Sequence, residues 1–393
     1  MIREIKKEEI AELIQKVDAL GRYLTNHPEV SGEEKDSSEY IIRFLENEGY
    51  EITAPYGEMP YSFRAVDKEK KHFHGKKAAF LCEYDALPEV GHACGHSYSC
   101  AISILGALLL KKFYPDLPMR IDLIGTPGEE FVGGKCYMTE NGAFDEYEYA
   151  AMIHLYNRDS TNFEILASND RYFTFHGKAA HASAFPEEGL NALNAARLYM
   201  EAMDMWRQHI TKDCQFHGIV VKGGEAPNIV PEEVCLDYYY RAATLENLWK
   251  LNKISETCAK GAAMATGTTV EWQQRYPDYG EIYWNDYMDE FVKEIFEHVG
   301  RTCEESPGPG GSSDIGNVNL KIPVFHPLLD ITGKDKTCVV HDRRFERILH
   351  TSEMERTLYD GGKILYELGI LLATDENRMK NIKEMHKKYR KLG

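Results

Sequence analysis

The chain has 393 residues, of which 43% are hydrophobic and 28% charged, a globular composition that excludes a disordered or low-complexity protein. With 46 Lys and Arg against 63 Asp and Glu, the net charge of −17 disfavours nucleic acid as a partner, because phosphate binding calls for a basic surface. The longest apolar run, "AISILGALLL", is too short for a membrane span. No membrane partner is expected, and the charged, helical start "MIREIKKEEIAELIQKV" predicts a cytoplasmic protein rather than a secreted one. The nine cysteines are scattered and odd in number, which predicts reduced, buried thiols.

In chain order, Ile10, Leu13, Ile14, Val17 and Leu20 predict a helix over 7–25. A second helix is expected after "SGEE", where Ser31 and Glu34 fit a capping box. "KAAFLCEY" reads as a buried strand with Asp85 at its end. A helix follows over 93–112, a strand over 120–126, a short helix in "GGKCYMTENGAF" and a strand over 149–156. Strands alternating with helices predict an α/β domain with a mostly parallel sheet and helices on both faces, whose sites form at the carboxyl ends of the strands. Near residue 170 the pattern changes. "RYFTFHGK", "FHGIVVKGG" and "VCLDYYYRAAT" read as strands, and "NALNAARLYMEAMDMW" and "ENLWKLNKISETCAKGAAMATG" as helices, an inserted α+β domain. Within it Tyr238, Tyr239 and Tyr240 alternate along one strand and read as sheet packing. From about 286 the chain returns to a helix, a Gly, Pro and Ser-rich loop (305–316), "IPVFHP", a helix over 351–372 and a basic terminal stretch. The expected division is therefore 1–170 with 286–393, interrupted by 171–285.

Chemistry-bearing residues gather at the predicted strand ends. Cys94 and His96 stand one residue apart between Gly91 and Gly95; they read as metal ligands, as a cysteine nucleophile with its base, or as a buried turn. Glu129 and Glu130 follow "GTPG"; adjacent side chains diverge, so one could bind a cation while the other serves as a base, or the pair could be an exposed acidic turn. His154 and His326 each close an apolar strand. Together these make one thiolate, three imidazoles and two carboxylates in one domain, enough for two cations sharing ligands.

The motifs "EYDALPEVGHACGH", "GTPGEE", "AAMIHLY", "FTFHGKAAHAS", "GGEAPNIVPEE" and "GSSDIGNVN…IPVFHP" resemble, in this order over about residues 8–372, those of the M20 metallopeptidases. The nearest branch holds aminoacylases, aminobenzoyl-glutamate hydrolase and β-alanyl-lysine dipeptidases. The resemblance implies a zinc-peptidase-like catalytic domain with an inserted lid that mediates homodimerisation. It further implies two divalent metal ions, zinc or manganese, held by Cys94, His96, Glu130, His154 and His326. Glu129 is then the general base and Asp85 the acid that orients a ligand. His181, from the inserted domain, polarises the scissile carbonyl. Asn228 and Arg241 grip the carbonyl and carboxylate of a small-molecule amide substrate, and Ser312, Ser313 and Asp314 lie in a lining loop. One departure is Ser97 after "GHACGH", where the family usually has Asn or Asp. A cysteine hydrolase and a non-catalytic binding relative are the competing expectations.

Overall fold

A computed structural model describes residues 2–390. Contacts divide the chain into two compact units. The first comprises 2–165 with 282–390, and the second is Leu166–Glu281.

The first unit begins with helix α1 (Ala11–Asn26), whose Ile14, Val17, Leu20 and Leu24 recur at helical spacing and are buried. Helix α2 (Lys35–Asn47) follows, then strands β1 (Tyr50–Thr53), β2 (Phe63–Asp67) and β3 (Lys76–Cys82). Helix α3 (His96–Phe113) is buried almost along its whole length. It leads to β4 (Met119–Gly125), helix α4 (Gly134–Glu140), β5 (Ala150–Ala151) and β6 (His154–Tyr156). The single strand expected over 149–156 is thus split in two.

The start of α2 overturns the capping-box expectation. The free amides of Asp36 and Ser37 donate to the Glu29 carboxylate (3.0 and 2.6 Å), not to Ser31. Ser31 Oγ instead accepts from the Phe131 amide (3.0 Å), and Glu34 Oε1 accepts from Gly32 N (2.9 Å) and Gly128 N (2.8 Å). Glu34 is wholly buried, and burial, aided by the Asp85 carboxylate, pushes its carboxyl from 4.5 up to about 7. A carboxyl raised on folding binds protons more tightly in the native state. Its stabilisation is therefore complete below pH 4.5 and lost as pH rises through 7. Glu34→Gln, which carries no charge to desolvate, is expected to stabilise the metal-free protein by about 2–3 kcal/mol at pH 8 and by almost nothing at pH 4. Urea unfolding of both proteins at the two pH values reads this difference.

The second unit is a four-stranded antiparallel sheet with two helices. Its elements are β7 (Ala167–His176), α5 (Ala192–Trp206), β8 (Gln215–Lys222), β9 (Glu233–Ala242), α6 (Leu245–Thr266) and β10 (Thr269–Gln273). The strand order is β10-β7-β9-β8. Strand periodicity decides which tyrosines face the helices. Tyr238 and Tyr240 are buried in the core with Tyr199 of α5, and the Tyr240 hydroxyl shares a hydrogen bond with Ser255 of α6 (2.5 Å). Tyr239 points to the opposite face, where its ring stacks on His217.

The chain re-enters the first unit through α7 (Asp286–Val299) and α8 (Ile315–Asn319). Then come β11 (Val324–Phe325), β12 (Leu328–Asp330), α9 (Arg343–Ile348), α10 (Met354–Thr374) and α11 (Glu376–Arg390). The main sheet runs β1-β2-β4-β3-β5-β11. From β4 to β11 every pairing is parallel, and the β1–β2 hairpin adds an antiparallel edge. β6 and β12 form a short parallel pair of their own. Helices α3 and α10 cross closely because α10 carries Gly362, where a Cβ would stand 2.6 Å from a Leu105 methyl of α3. The basic terminal stretch is helical as far as Arg390, with Met379, Ile382 and His386 turned inward; residues 391–393 lie outside the described residues. Among the described residues no helix is long and apolar enough to cross a membrane.

Candidate metal centre

The site forms beyond the ends of β3 and β4 and at the start of β6. After β3 the chain turns through Asp85 to the Gly91–Gly95 loop. Gly95 adopts φ +89° as α3 begins, and a Cβ there would lie 2.8 Å from Leu155 Cβ, so only glycine brings this turn so close to β6. The turn delivers Cys94 and His96 beside His154. Cys94 Sγ lies 3.4 Å from His154 Nε2, and donor atoms of Cys94, His96 and His154 fall within 4.8 Å of one another.

The two histidines are aimed by their other nitrogens. His154 Nδ1 lies 2.7 Å from the Leu155 carbonyl. His96 Nδ1 lies 3.1 Å from the Asp85 carbonyl and 2.9 Å from its carboxylate. A carbonyl only accepts, so Nδ1 carries a proton in both rings and Nε2 is the nitrogen left to meet a cation. Asp85 also receives the Glu130 amide on Oδ2 (2.9 Å), and so braces a histidine and the glutamate loop together.

Two further groups complete the cluster: Cys94, Glu130 and His341, and His96, Glu129 and Glu130. Cys94 therefore belongs to two sets of donors. His341 is the residue that sequence reasoning missed. It precedes the Asp342 cap of α9, and its Nε2 lies 3.6 Å from Glu130 Oε1. Its amide donates to the Ala93 carbonyl (2.9 Å) with the backbone held at φ +70°, a conformation costly for a non-glycine residue and enriched at functional sites.

His326 joins none of these groups among the described residues. It is buried, both ring nitrogens lack a hydrogen-bond partner, and its ring stands 5.6 Å from that of His154. Burial, and then His154, lower its pKa to about 3, so the ring is neutral.

A third buried set adjoins His96. The Lys135 ammonium, fully enclosed, bridges Glu83 Oε1 (2.6 Å) and Asp314 Oδ1 (2.7 Å), and its amide donates to Asp314 Oδ2 (2.8 Å). Glu83 Oε2 faces His96 Nε2 at 3.4 Å. Ser313 is buried, and its Oγ accepts from the Ile315 amide at the start of α8 (3.4 Å).

The donor set fits divalent cations. Without one, the buried His96 Nε2 and Glu130 Oε1 have no hydrogen-bond partner. Burial, followed by the Glu130 carboxylate, pushes both the Cys94 thiol and the Glu129 carboxyl well above their usual ranges. A buried thiol and a buried carboxyl that both resist ionisation, beside imidazoles and a second carboxylate, are the chemistry that a cation of intermediate softness relieves.

In the second unit, His181 pairs backbone to backbone with Ile229, and the Ala182 amide donates to the Asn228 carbonyl (3.0 Å). His181 and Asn228 are thus brought together. His181 Nδ1 accepts from the Ala184 amide (3.2 Å), which leaves Nε2 as the protonated, outward nitrogen. Arg241 lies on β9 two residues after Tyr239, on the face away from α5 and α6.

A family profile described as a peptidase dimerisation domain matches residues 171–265. The chain is 34% identical over 346 residues to the Xaa-Arg dipeptidase of Mus musculus, covering 84% of this chain and 80% of that one. It is 30% identical over 278 residues to a p-aminobenzoyl-glutamate hydrolase polypeptide of Escherichia coli, covering 65% and 57%. A solved Bacillus subtilis structure, described as a dinuclear metal binding peptidase from the M20 family, superposes with a TM-score of 0.70 at 20% identity, covering 92% of this chain and 99% of the other.

Proposed function

The chain belongs to the M20 metallopeptidase family, and from that premise we propose that it hydrolyses the amide bond of small dipeptides or N-acyl amino acids at a two-cation centre. The observation that carries this reading is the pair of donor groups sharing Cys94: Cys94, His96 and His154 on one side, Cys94, Glu130 and His341 on the other. The proposed ligand set is therefore Cys94, His96, Glu130, His154 and His341, with His341 in the place that sequence reasoning gave to His326. The cations are zinc or manganese, both suited to mixed thiolate, imidazole and carboxylate donors.

Divalent cations bound there supply Lewis acidity, which draws electron density from the scissile carbonyl and eases loss of a proton from water. Glu129 takes that proton and returns it to the departing amine, so one carboxylate serves as base and then as acid. Asp85 holds the His96 ring and the Glu130 backbone at fixed places while this happens. For the second unit the proposal keeps Arg241 as the fork that grips the substrate carboxylate, and His181 with Asn228 as the contacts to the scissile carbonyl. The match to a dimerisation domain supports a homodimer formed through residues 171–285. The nine cysteines, none in a disulfide among the described residues, support a reducing compartment, the cytoplasm.

The test is a panel of dipeptides ending in Arg or Lys, N-acetyl amino acids and aminobenzoyl-glutamate, assayed after chelation and again with added Zn²⁺ or Mn²⁺. Turnover of a carboxylate-bearing amide that falls on chelation and returns with metal is the expected result. Arg241→Ala should then raise KM by about 10- to 100-fold, the loss of one charge-assisted contact, while leaving metal content alone. No turnover anywhere in the panel, or turnover indifferent to metal, overturns the proposal.

A further inference from the structure

The loop that bears Glu129 and Glu130 has little regular structure of its own. It is held from outside by side chains that receive its backbone amides. Glu130 N donates to Asp85, while Gly128 N donates to Glu34 Oε1 (2.8 Å) and Phe131 N to Ser31 Oγ (3.0 Å), so that Glu129 lies between two anchored neighbours. The short segment that supplies Ser31 and Glu34 is itself fastened to the start of the metal-site loop. Ser31 N donates to the Ala86 carbonyl (3.2 Å), and Ala86 N to that of Glu29 (2.8 Å). Neither side chain is needed by the helix that follows, because Glu29 caps α2. Nor is either placed by surface chemistry: Ser31 is buried and Glu34 is completely enclosed. Enclosing a carboxylate is costly unless hydrogen bonds compensate, and both bonds to its Oε1 are backbone amides, one of them in the glutamate loop.

We propose that Ser31 and Glu34 are positioning residues, which fix the Glu129 carboxylate through the backbone of its loop. The inference rests on the functional reading above, since it assigns the clamp to the base of that reaction. A base must sit within hydrogen-bond reach of the proton it removes, so a loop that drifts by a fraction of an ångström loses turnover without losing substrate or cations. Such a device differs from a structural brace in what it alters.

The experiment compares Glu34→Ala, Glu34→Gln and Ser31→Ala in the metal-loaded full chain, measuring kcat, KM, metal content and amide hydrogen exchange over residues 126–133. Glu34→Ala is expected to lower kcat by about 10- to 100-fold, with KM and metal content unchanged and with faster exchange confined to that segment and to Gly32, whose amide Glu34 also holds. Glu34→Gln keeps an oxygen for both amides and is expected to restore kcat and exchange together. Wild-type exchange in Glu34→Ala, or a kcat loss that Glu34→Gln does not restore, overturns the proposal. Should Glu34→Ala fail to fold, Ser31→Ala reads the same question at Phe131: faster exchange with reduced kcat supports the clamp, and wild-type values for both overturn it. A wild-type protein inactive across the substrate panel would sink the functional reading alone. The exchange comparison needs no substrate and still decides whether the clamp exists.

Discussion

Glu129→Gln is expected to lower kcat by about a thousandfold while the protein keeps its full complement of metal, since general base catalysis contributes roughly 10²- to 10⁴-fold. Glu129 and Glu130 are consecutive, and both present oxygens to the group that includes His96. Only Glu130 also belongs to the set with Cys94 and His341, which makes it the ligand and leaves Glu129 for the proton. Electrostatics agrees. Burial, and then Glu130, hold the Glu129 carboxyl well above the usual range, so it has a high proton affinity to spend on water. Glutamine has the same shape and no basic oxygen of comparable strength. Substitution therefore removes the proton acceptor and little else. Glu130→Gln supplies the contrast: it should lose metal as well as activity. Measuring kcat alongside metal content separates the two, and an active Glu129→Gln protein would remove Glu129 from the base position.

How far the site could be read from sequence depended on local pattern. β3 and α3 carry continuous apolar runs, β4 alternates Ile121 and Leu123 with Arg120 and Asp122, and the ends of these three elements place Asp85, Cys94, His96 and the glutamate pair near one sheet edge. Strands β1, β2 and β10 were missed because short antiparallel edges carry polar side chains and lack such runs. His154 and His326 looked equivalent, each ending an apolar strand. Their rings do stand 5.6 Å apart, His154 at the start of β6 and His326 just before β12, yet only His154 faces Cys94. His341 sits in "CVVHDRRFERI", where nothing repeats and charge dominates; its role depends on a left-handed backbone and a bond to Ala93 that periodicity cannot express. Lys135 lies in the short helix read from "GGKCYMTENGAF", and nothing in that stretch singles it out. It is buried because two distant carboxylates, Glu83 and Asp314, arrive around it, a tertiary compensation with no local signature. "SGEE" did carry a signal. A capping box and a loop clamp use the same residue types, since each needs short acceptors aimed at free amides, and only tertiary placement decides which amides they meet.

Cys94→Ala should weaken both cations, because Cys94 is the donor shared by the two groups proposed to hold them, Cys94, His96 and His154 on one side and Cys94, Glu130 and His341 on the other; His96 and Glu130 meet again only in the group that includes Glu129. Metal affinity is expected to fall by more than about 100-fold, beyond the loss that outer partners of ligands typically cause, and turnover should vanish with it. Loss of activity alone would not distinguish this role from that of a cysteine nucleophile, which the 3.4 Å approach to His154 superficially suits. Thiol chemistry argues against the nucleophile. Burial and Glu130 push the Cys94 thiol well up, whereas a nucleophilic cysteine needs its thiolate favoured. Cys94→Asp makes the distinction experimental. A carboxylate has two oxygens and can serve two cations at once, but it cannot take over as a thiolate nucleophile. Under the metal role, Cys94→Asp should recover bound metal and a measurable part of turnover relative to Cys94→Ala. Metal analysis and kcat for the three proteins, with and without chelator, give the answer. If Cys94→Asp is as inactive as Cys94→Ala while its metal content is restored, or if the wild-type enzyme works when stripped of metal, the shared-ligand role is wrong.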